Sequence, residues 1–287
     1  MVTHLWERSD IDVRSVEPLS ASDLATALTE EADRTFFHEL HVALEACRHP
    51  QTPAQIEAVQ NYADALHVEG EDLKIFRDLV SSGVETAARD YQRFLTTNLF
   101  ERTEPSLPAE RPGLAHEEQQ LAELLGQWSE LPPESLGRAY LSFYERFGLS
   151  LPGSNASTNH HFFVAHDMTH TIAGLSTTPL AEVALSAFQF GMSNNRVNRG
   201  ALLASLVAHE AGFAVPEHLK RADSGLLADP SAARFFANEM RRGALCTADF
   251  SLIDHLALAP EPLDHIRAEF GVTAPPQLDD EHHWWQL

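Results

Sequence analysis

A chain of 287 residues that is 44% hydrophobic can bury a sizeable core in one large or two smaller domains, which excludes disorder as its default state. Forty-two acidic against twenty basic side chains give a net charge of −22, and such a surface repels phosphate backbones, excluding nucleic acid as a partner. Two distant cysteines, Cys47 and Cys246, suit a reducing cytoplasm. No signal peptide is expected from Met1-Val2-Thr3-His4-Leu5-Trp6, and no run reaches the about 20 apolar residues of a membrane span. The expected location is the cytoplasm, with at most peripheral contact to a membrane.

Residues 1–20 are polar and weakly periodic and read as an N-terminal arm. From Ala21, the spacing of Leu24, Leu28, Phe36, Phe37, Leu40 and Leu44 predicts helices that Pro50 and Pro53 interrupt. Thr52 is placed to cap the next helix, marked by Ile56, Val59, Tyr62 and Leu66. A turn at His67–Gly70 leads to a long helix from Leu73 to about Leu95. Residues 21–100 thus form a small helical domain. Its run Tyr62–Leu73 loosely resembles the TerB-like helical domains of tellurite resistance. Asp64, Glu69, Glu71 and Asp72 lack the ligand order of a calcium-binding EF-hand loop and read as solvated cap residues.

Pro105, Pro108, Pro112 and Gly113 make residues 101–116 the expected linker. Residues 117–287 form the expected second domain. It opens with helices over Glu117–Trp128 and after Pro132-Pro133, the latter carrying Tyr140, Phe143, Tyr144 and Phe147. The loop Leu151–Asn155 precedes His166-Asp167-Met168-Thr169-His170, and eleven residues separate His170 from Glu182. Two imidazoles four apart on a helix share a face, one turn above the other, and can grip one ion. Gly174 reads as a helix stop, Thr178 as an N-cap and Pro179 as the first residue of the following helix. That hairpin brings Glu182 back beside the histidines. As the fourth residue of its helix, Glu182 is one position too late for a capping box. Its helix is otherwise apolar, so a buried carboxylate there needs a partner, which a metal supplies.

Further helices are expected from Leu202, over Ser231–Arg242, and at Leu252–Leu258 and Pro262–Phe270, before a polar tail from Gln277. No strand-period alternation of useful length occurs. The fold class is all-α, a multi-helix bundle with a smaller N-terminal helical unit.

Beyond the motif His166-Asp167-x-x-His170-x11-Glu182, the segments Gly137–Tyr144 and Gly174–Leu185 extend a likeness to a known family, with weaker echoes at Arg242-Gly243 and Pro262–Arg267. Over about residues 133–272 the chain resembles the coenzyme Q (ubiquinone) biosynthesis protein 4 family. The resemblance implies an all-helical fold, a divalent metal usually taken as zinc, and an apolar tunnel for an isoprenoid chain. It also implies oxidative removal of the ring carboxylate from a prenylated benzoate, or a scaffold role for other quinone enzymes. Carried over by position, His166, Asp167, His170 and Glu182 form the metal site.

Zinc on such ligands acts as a Lewis acid, while iron activates oxygen and magnesium is a further candidate. Asp167 and Glu182 are the catalytic candidates, Asp167 as fourth ligand, ligand-orienting group or proton acceptor. Tyr140, Phe163, Phe188 and Arg242 are the candidate substrate-binding residues, Arg242 for an anionic head group. Each also has an ordinary core or helix-end explanation. His160, His161 and His209-Glu210 read as structural, and Trp284-Trp285 as a cap on a hydrophobic entrance or a pair that dips into lipid. The expected partners are a hydrophobic small molecule or isoprenoid lipid, and a homodimer partner or biosynthetic complex. The competing function is a non-catalytic lipid-binding scaffold with a structural metal. Metal-dependent hydrolysis ranks last, because no second His…Asp set accompanies the first.

Overall fold

The computed structural model describes residues 10–12, 15–46, 52–68, 95–108, 115–209, 225–276 and 281–285. Among these residues the regular structure is helical, with isolated bridges but no strand, as the sequence periodicity requires. Helices α1 (Ala21–Ala27), α2 (Glu31–Ala46) and α3 (Pro53–Leu66) come first, followed by α4 over 95–101. Next are α5 (Gln119–Gly126), α6 (Leu136–Phe147), α7 (His160–Ala173), α8 (Pro179–Met192) and α9 (Arg196–His209). The chain ends with α10 (Pro230–Ala244), α11 (His255–Leu258) and α12 (Leu263–Glu269). No helix among the described residues is long and apolar enough to cross a membrane.

The chain divides into two compact units, one of Met1–Leu95 with Arg199–Asn238, the other of Thr96–Asn198 with Glu239–Leu287. This differs from the division expected at residues 101–116. The stretch 199–238 groups with the N-terminal helices, and the expected linker belongs to the second unit. Proline turns mark that linker in sequence, yet Arg102 and Glu104 are buried. Glu104 accepts from the backbone and the Nδ1–H of His255 at 3.1 and 2.8 Å, with both side chains fully enclosed. A buried carboxylate must be paired, so the segment is held in place.

In the first unit, α3 starts as its sequence predicts: Thr52 forms a capping box with Gln55, and Pro53 takes the first helical position. Leu24, Val42, Ile56, Val59, Ala63 and Leu66 are buried in its first three helices, and Leu202, Leu206 and Phe236 in its later segment. His67 closes α3 in the left-handed conformation at φ 56°. Of the TerB-like run, Tyr62–Val68 is helix and cap, while 69–73 and most of the predicted long helix lie outside the described residues.

In the second unit, α7 is the central rod. All its residues but Phe163 are buried, His166, Asp167 and His170 included, so its polar side chains must find partners within the unit. Helices α6, α8 and α12 pack against it. Its last carbonyls, which have no partner within the helix, are met by arginines from elsewhere in the unit. Arg267 donates to Thr171 and Ile172, each at 3.1 Å, and Arg242 donates to Ala173 at 2.7 Å. Gly191 of α8 and Gly243 of α10 let two backbones touch. A Cβ at Gly191 would lie 2.0 Å from the Met240 carbonyl oxygen, and one at Gly243 would lie 1.9 Å from that of Phe188. The described part of the expected polar tail is a strap. Ser176 and Trp284 donate backbone N–H groups to His282 and Gly174 at 2.9 Å, and Trp285 covers Gly174.

Candidate metal centre

Local rules build the hairpin that carries the centre. Gly174 ends α7 at φ 73°, a left-handed position that a side chain resists. Thr178 caps α8 through Ala181 N–H at 3.2 Å, and Pro179 follows as its first residue. The chain therefore reverses in a few residues and returns Glu182, in the first turn of α8, to the face of α7 that holds His166 and His170.

There the His166 Nε2, His170 Nε2 and Glu182 Oε2 atoms form a nearly equilateral triangle. The two nitrogens are 3.2 Å apart, and the carboxylate oxygen is 3.2 and 3.3 Å from them. Donors on a tetrahedral zinc, at about 2.0–2.2 Å from the ion, are spaced about 3.3–3.5 Å. The triangle therefore fits one small cation. Asp167 offers a further carboxylate oxygen within 4.8 Å of the histidine donors. The tighter set is the histidines with Glu182, because an Asp167 oxygen already accepts a hydrogen bond from the Tyr144 hydroxyl. Asp167 is thus better suited as an adjacent carboxylate or fourth donor than as one of the first three. His170 is fully buried and His166 is 8% exposed, whereas the Glu182 side chain keeps 16% of its surface.

The surroundings prepare the rings unequally. His170 Nδ1–H donates to the Leu175 carbonyl at 3.3 Å, which leaves Nε2 as its outward atom, the arrangement that metal-ligating histidines use. Its ring tilts on Phe143 at 5.6 Å. His166 stacks on Phe162 at 4.9 Å and 19°, and its Nδ1 accepts from Arg102 Nη2 at 3.3 Å. Arg102 also donates to Gln189 Oε1 at 3.1 Å.

Burial penalises charge, and the carboxylates decide where it survives. Burial pushes His166 down to about 4, so its imidazole is neutral near pH 7. At His170 burial acts in the same direction, but the Glu182 charge and hydrogen bond outweigh it and hold the imidazole above its usual value. Glu182 stays well below the carboxylate range, because His170 and the hydrogen bonds from both rings overcome its desolvation. Burial lifts Asp167 to about 7 despite His170 and Tyr144. Without an ion, hydrogen bonds between the two imidazoles and the Glu182 carboxylate hold the triangle.

The other candidates lie elsewhere. Tyr140 is fully buried and donates to the Tyr144 hydroxyl at 3.1 Å, so it reaches Asp167 through that ring. Phe163, the half-buried residue of α7, packs on Phe162, and the buried Phe188 packs on Phe250 and Arg242 as a core ring does. Arg242 is committed to Glu239, the Thr273 carbonyl and the Ala173 carbonyl, contacts of a helix clamp and not of a free head-group site. His160 and His161 brace the start of α7 as structural groups. His160 Nδ1 accepts from Gly153 N–H at 2.9 Å, and His161 meets Glu118 at 2.8 Å. His209 belongs to the first unit, and Glu210 lies outside the described residues. Trp284 packs on Phe143 at 5.5 Å and on Phe147 at 6.2 Å. Sequence reasoning missed Arg102, Gln189 and the Tyr144–Asp167 contact. Tyr144 carried a signal, lying one helical turn from Tyr140; Arg102 carried none.

Comparisons with known proteins add little. No protein-family model matches the chain, and no curated protein matches it. Among solved structures, a crystal structure of a candidate ubiquinone biosynthesis protein from Nostoc punctiforme is similar at 14% identity and a TM-score of 0.37. It covers 86% of this chain and 100% of that one. A likeness at that level carries neither fold nor function across.

Proposed function

We propose that the second unit is a divalent-metal enzyme acting on a prenylated or otherwise hydrophobic aromatic carboxylic acid, of the kind met as quinone precursors, and removing its carboxylate. The observation that supports this reading is the 3.2–3.3 Å triangle of His166, His170 and Glu182 donors, buried beside a second carboxylate whose ordinary acidity is lost. The motif's likeness to the coenzyme Q biosynthesis protein 4 family names the substrate class. Zinc fits the donor set best, and a bound metal would supply Lewis-acid stabilisation of charge developing on the ring. The chain's own residues do the rest. The Leu175 carbonyl orients His170, Tyr144 orients Asp167, and Asp167 holds or releases a proton near neutral pH.

The second reading, a lipid-binding scaffold with a structural metal, is favoured by the complete burial of His170 and by Asp167 as a potential fourth donor. A closed four-donor site is structural, whereas a catalytic one keeps a position for water or substrate. The partly exposed Glu182 side chain supports the open form. The test is to incubate metal-loaded protein in air with a prenylated 4-hydroxybenzoate and follow carbon dioxide loss by mass spectrometry. Metal-dependent loss that disappears in Asp167→Asn supports the enzyme; tight binding of the acid without loss supports the scaffold.

A further inference from the structure

Arg102 is 7% exposed, and among the described residues no carboxylate comes within the 4.0 Å of an ion pair. Its described contacts are the His166 ring nitrogen, the Gln189 amide oxygen and the face of Phe162 at 5.1 Å. The Glu182 charge, too far for an ion pair, offsets only part of the cost of burying this guanidinium, and several of its five N–H donors remain to be used.

The contact with His166 has a chemical consequence. A guanidinium only donates, so His166 Nδ1 accepts and the single proton of the neutral ring lies on Nε2, directed at Glu182. A metal takes the Nε2 lone pair and forces that proton to Nδ1. Two donors, Nδ1–H and the Arg102 N–H, then face each other where 3.3 Å now separates a donor from an acceptor. An anion accepting from both relieves the conflict. Phe162 lies flat against His166 and beneath Arg102, so the pair has apolar surroundings that strengthen its hold on an anion.

We propose that Arg102 and His166 Nδ1 form the binding site for the carboxylate of an aromatic acid, and that filling the metal centre creates this site. Metal and acid then bind with positive linkage. The inference rests on the metal centre proposed for His166, His170 and Glu182, and it assigns the substrate's anionic end to a residue outside the motif.

The test is calorimetric titration of zinc into chelator-stripped full-length protein, with benzoate, acetate or chloride at equal ionic strength. In the wild type, benzoate is expected to tighten zinc at least about tenfold, acetate less and chloride not at all, and zinc should tighten benzoate by the same factor. Arg102→Gln, whose amide oxygen can accept from Nδ1–H, should bind zinc without benzoate at least as well as the wild type and show no benzoate effect. Absence of linkage in the wild type, or equal linkage in Arg102→Gln, overturns the inference. The reciprocal titrations need only the wild type, so a variant that fails to fold does not block the test. Zinc binding without linkage overturns this inference alone; failure of the wild type to bind zinc overturns the metal centre with it.

Discussion

Replacing Asp167 by Asn should stabilise the metal-free protein while removing its chemistry. Burial lifts this carboxyl from 3.8 to about 7, and each unit corresponds to about 1.4 kcal/mol, so the ionised group costs the fold about 4 kcal/mol above that pH. Between 3.8 and about 7 the native state keeps a proton that the unfolded chain has lost. The stability contributed by this group is therefore full below that window and is lost as pH rises through it. Asparagine cannot ionise, and its carbonyl oxygen can still accept from Tyr144, but its NH₂ group must find an acceptor at a cost of about 1–3 kcal/mol. The net gain is about 1–3 kcal/mol at pH 8, roughly 2–4 °C in Tm per kcal/mol, and it vanishes or reverses at pH 5. Urea denaturation in EDTA at pH 5, 6, 7 and 8 measures the difference between variant and wild type. A difference that does not grow with pH, or an asparagine variant less stable at pH 8, refutes the reasoning.

Zinc affinity should fall as pH drops, because His170 is held above the usual histidine value by Glu182 and must lose its proton to ligate; titration across pH 6–8 should show up to about tenfold per unit, and a flat profile contradicts this. Gly174→Ala meets both a positive φ and the Trp285 ring 2.5 Å from the new Cβ, so thermal melting should reveal a loss of about 2 kcal/mol or more; an unchanged Tm would remove the strap from the account. Glu104→Gln leaves one oxygen to accept from the two buried N–H groups of His255 and should lose about 1–3 kcal/mol in urea, whereas a neutral effect would show that the pair does not hold the 101–108 segment.

The parts governed by near neighbours were legible in the sequence. Gly174, Thr178 and Pro179 announce a stop, a cap and a start, and together they fix where Glu182 returns. Asn195 starts α9 by accepting from Asn198 N–H at 2.8 Å, so the helix begins at Arg196, six residues before the expected Leu202. Long-range pairing was not legible. Arg102 and Glu104 sit among proline turn signals and look solvated, yet Glu104 pairs with a histidine 151 residues away. Whether a charge is solvated or buried is a tertiary fact, invisible to periodicity. The grouping of 199–238 with the N-terminal helices, and the strapping of 281–285 across Gly174, escape local reading for the same reason.

The proposed function depends on His166, His170 and Glu182 holding one divalent ion. Elemental analysis by mass spectrometry, on full-length protein purified without added metal and then offered zinc and dialysed, tests it most directly. A single tightly held ion per chain is expected, lost in His170→Ala and in Glu182→Ala while circular dichroism still reports a helical fold. A wild type that retains no ion, or folded variants that retain it in full, would contradict it.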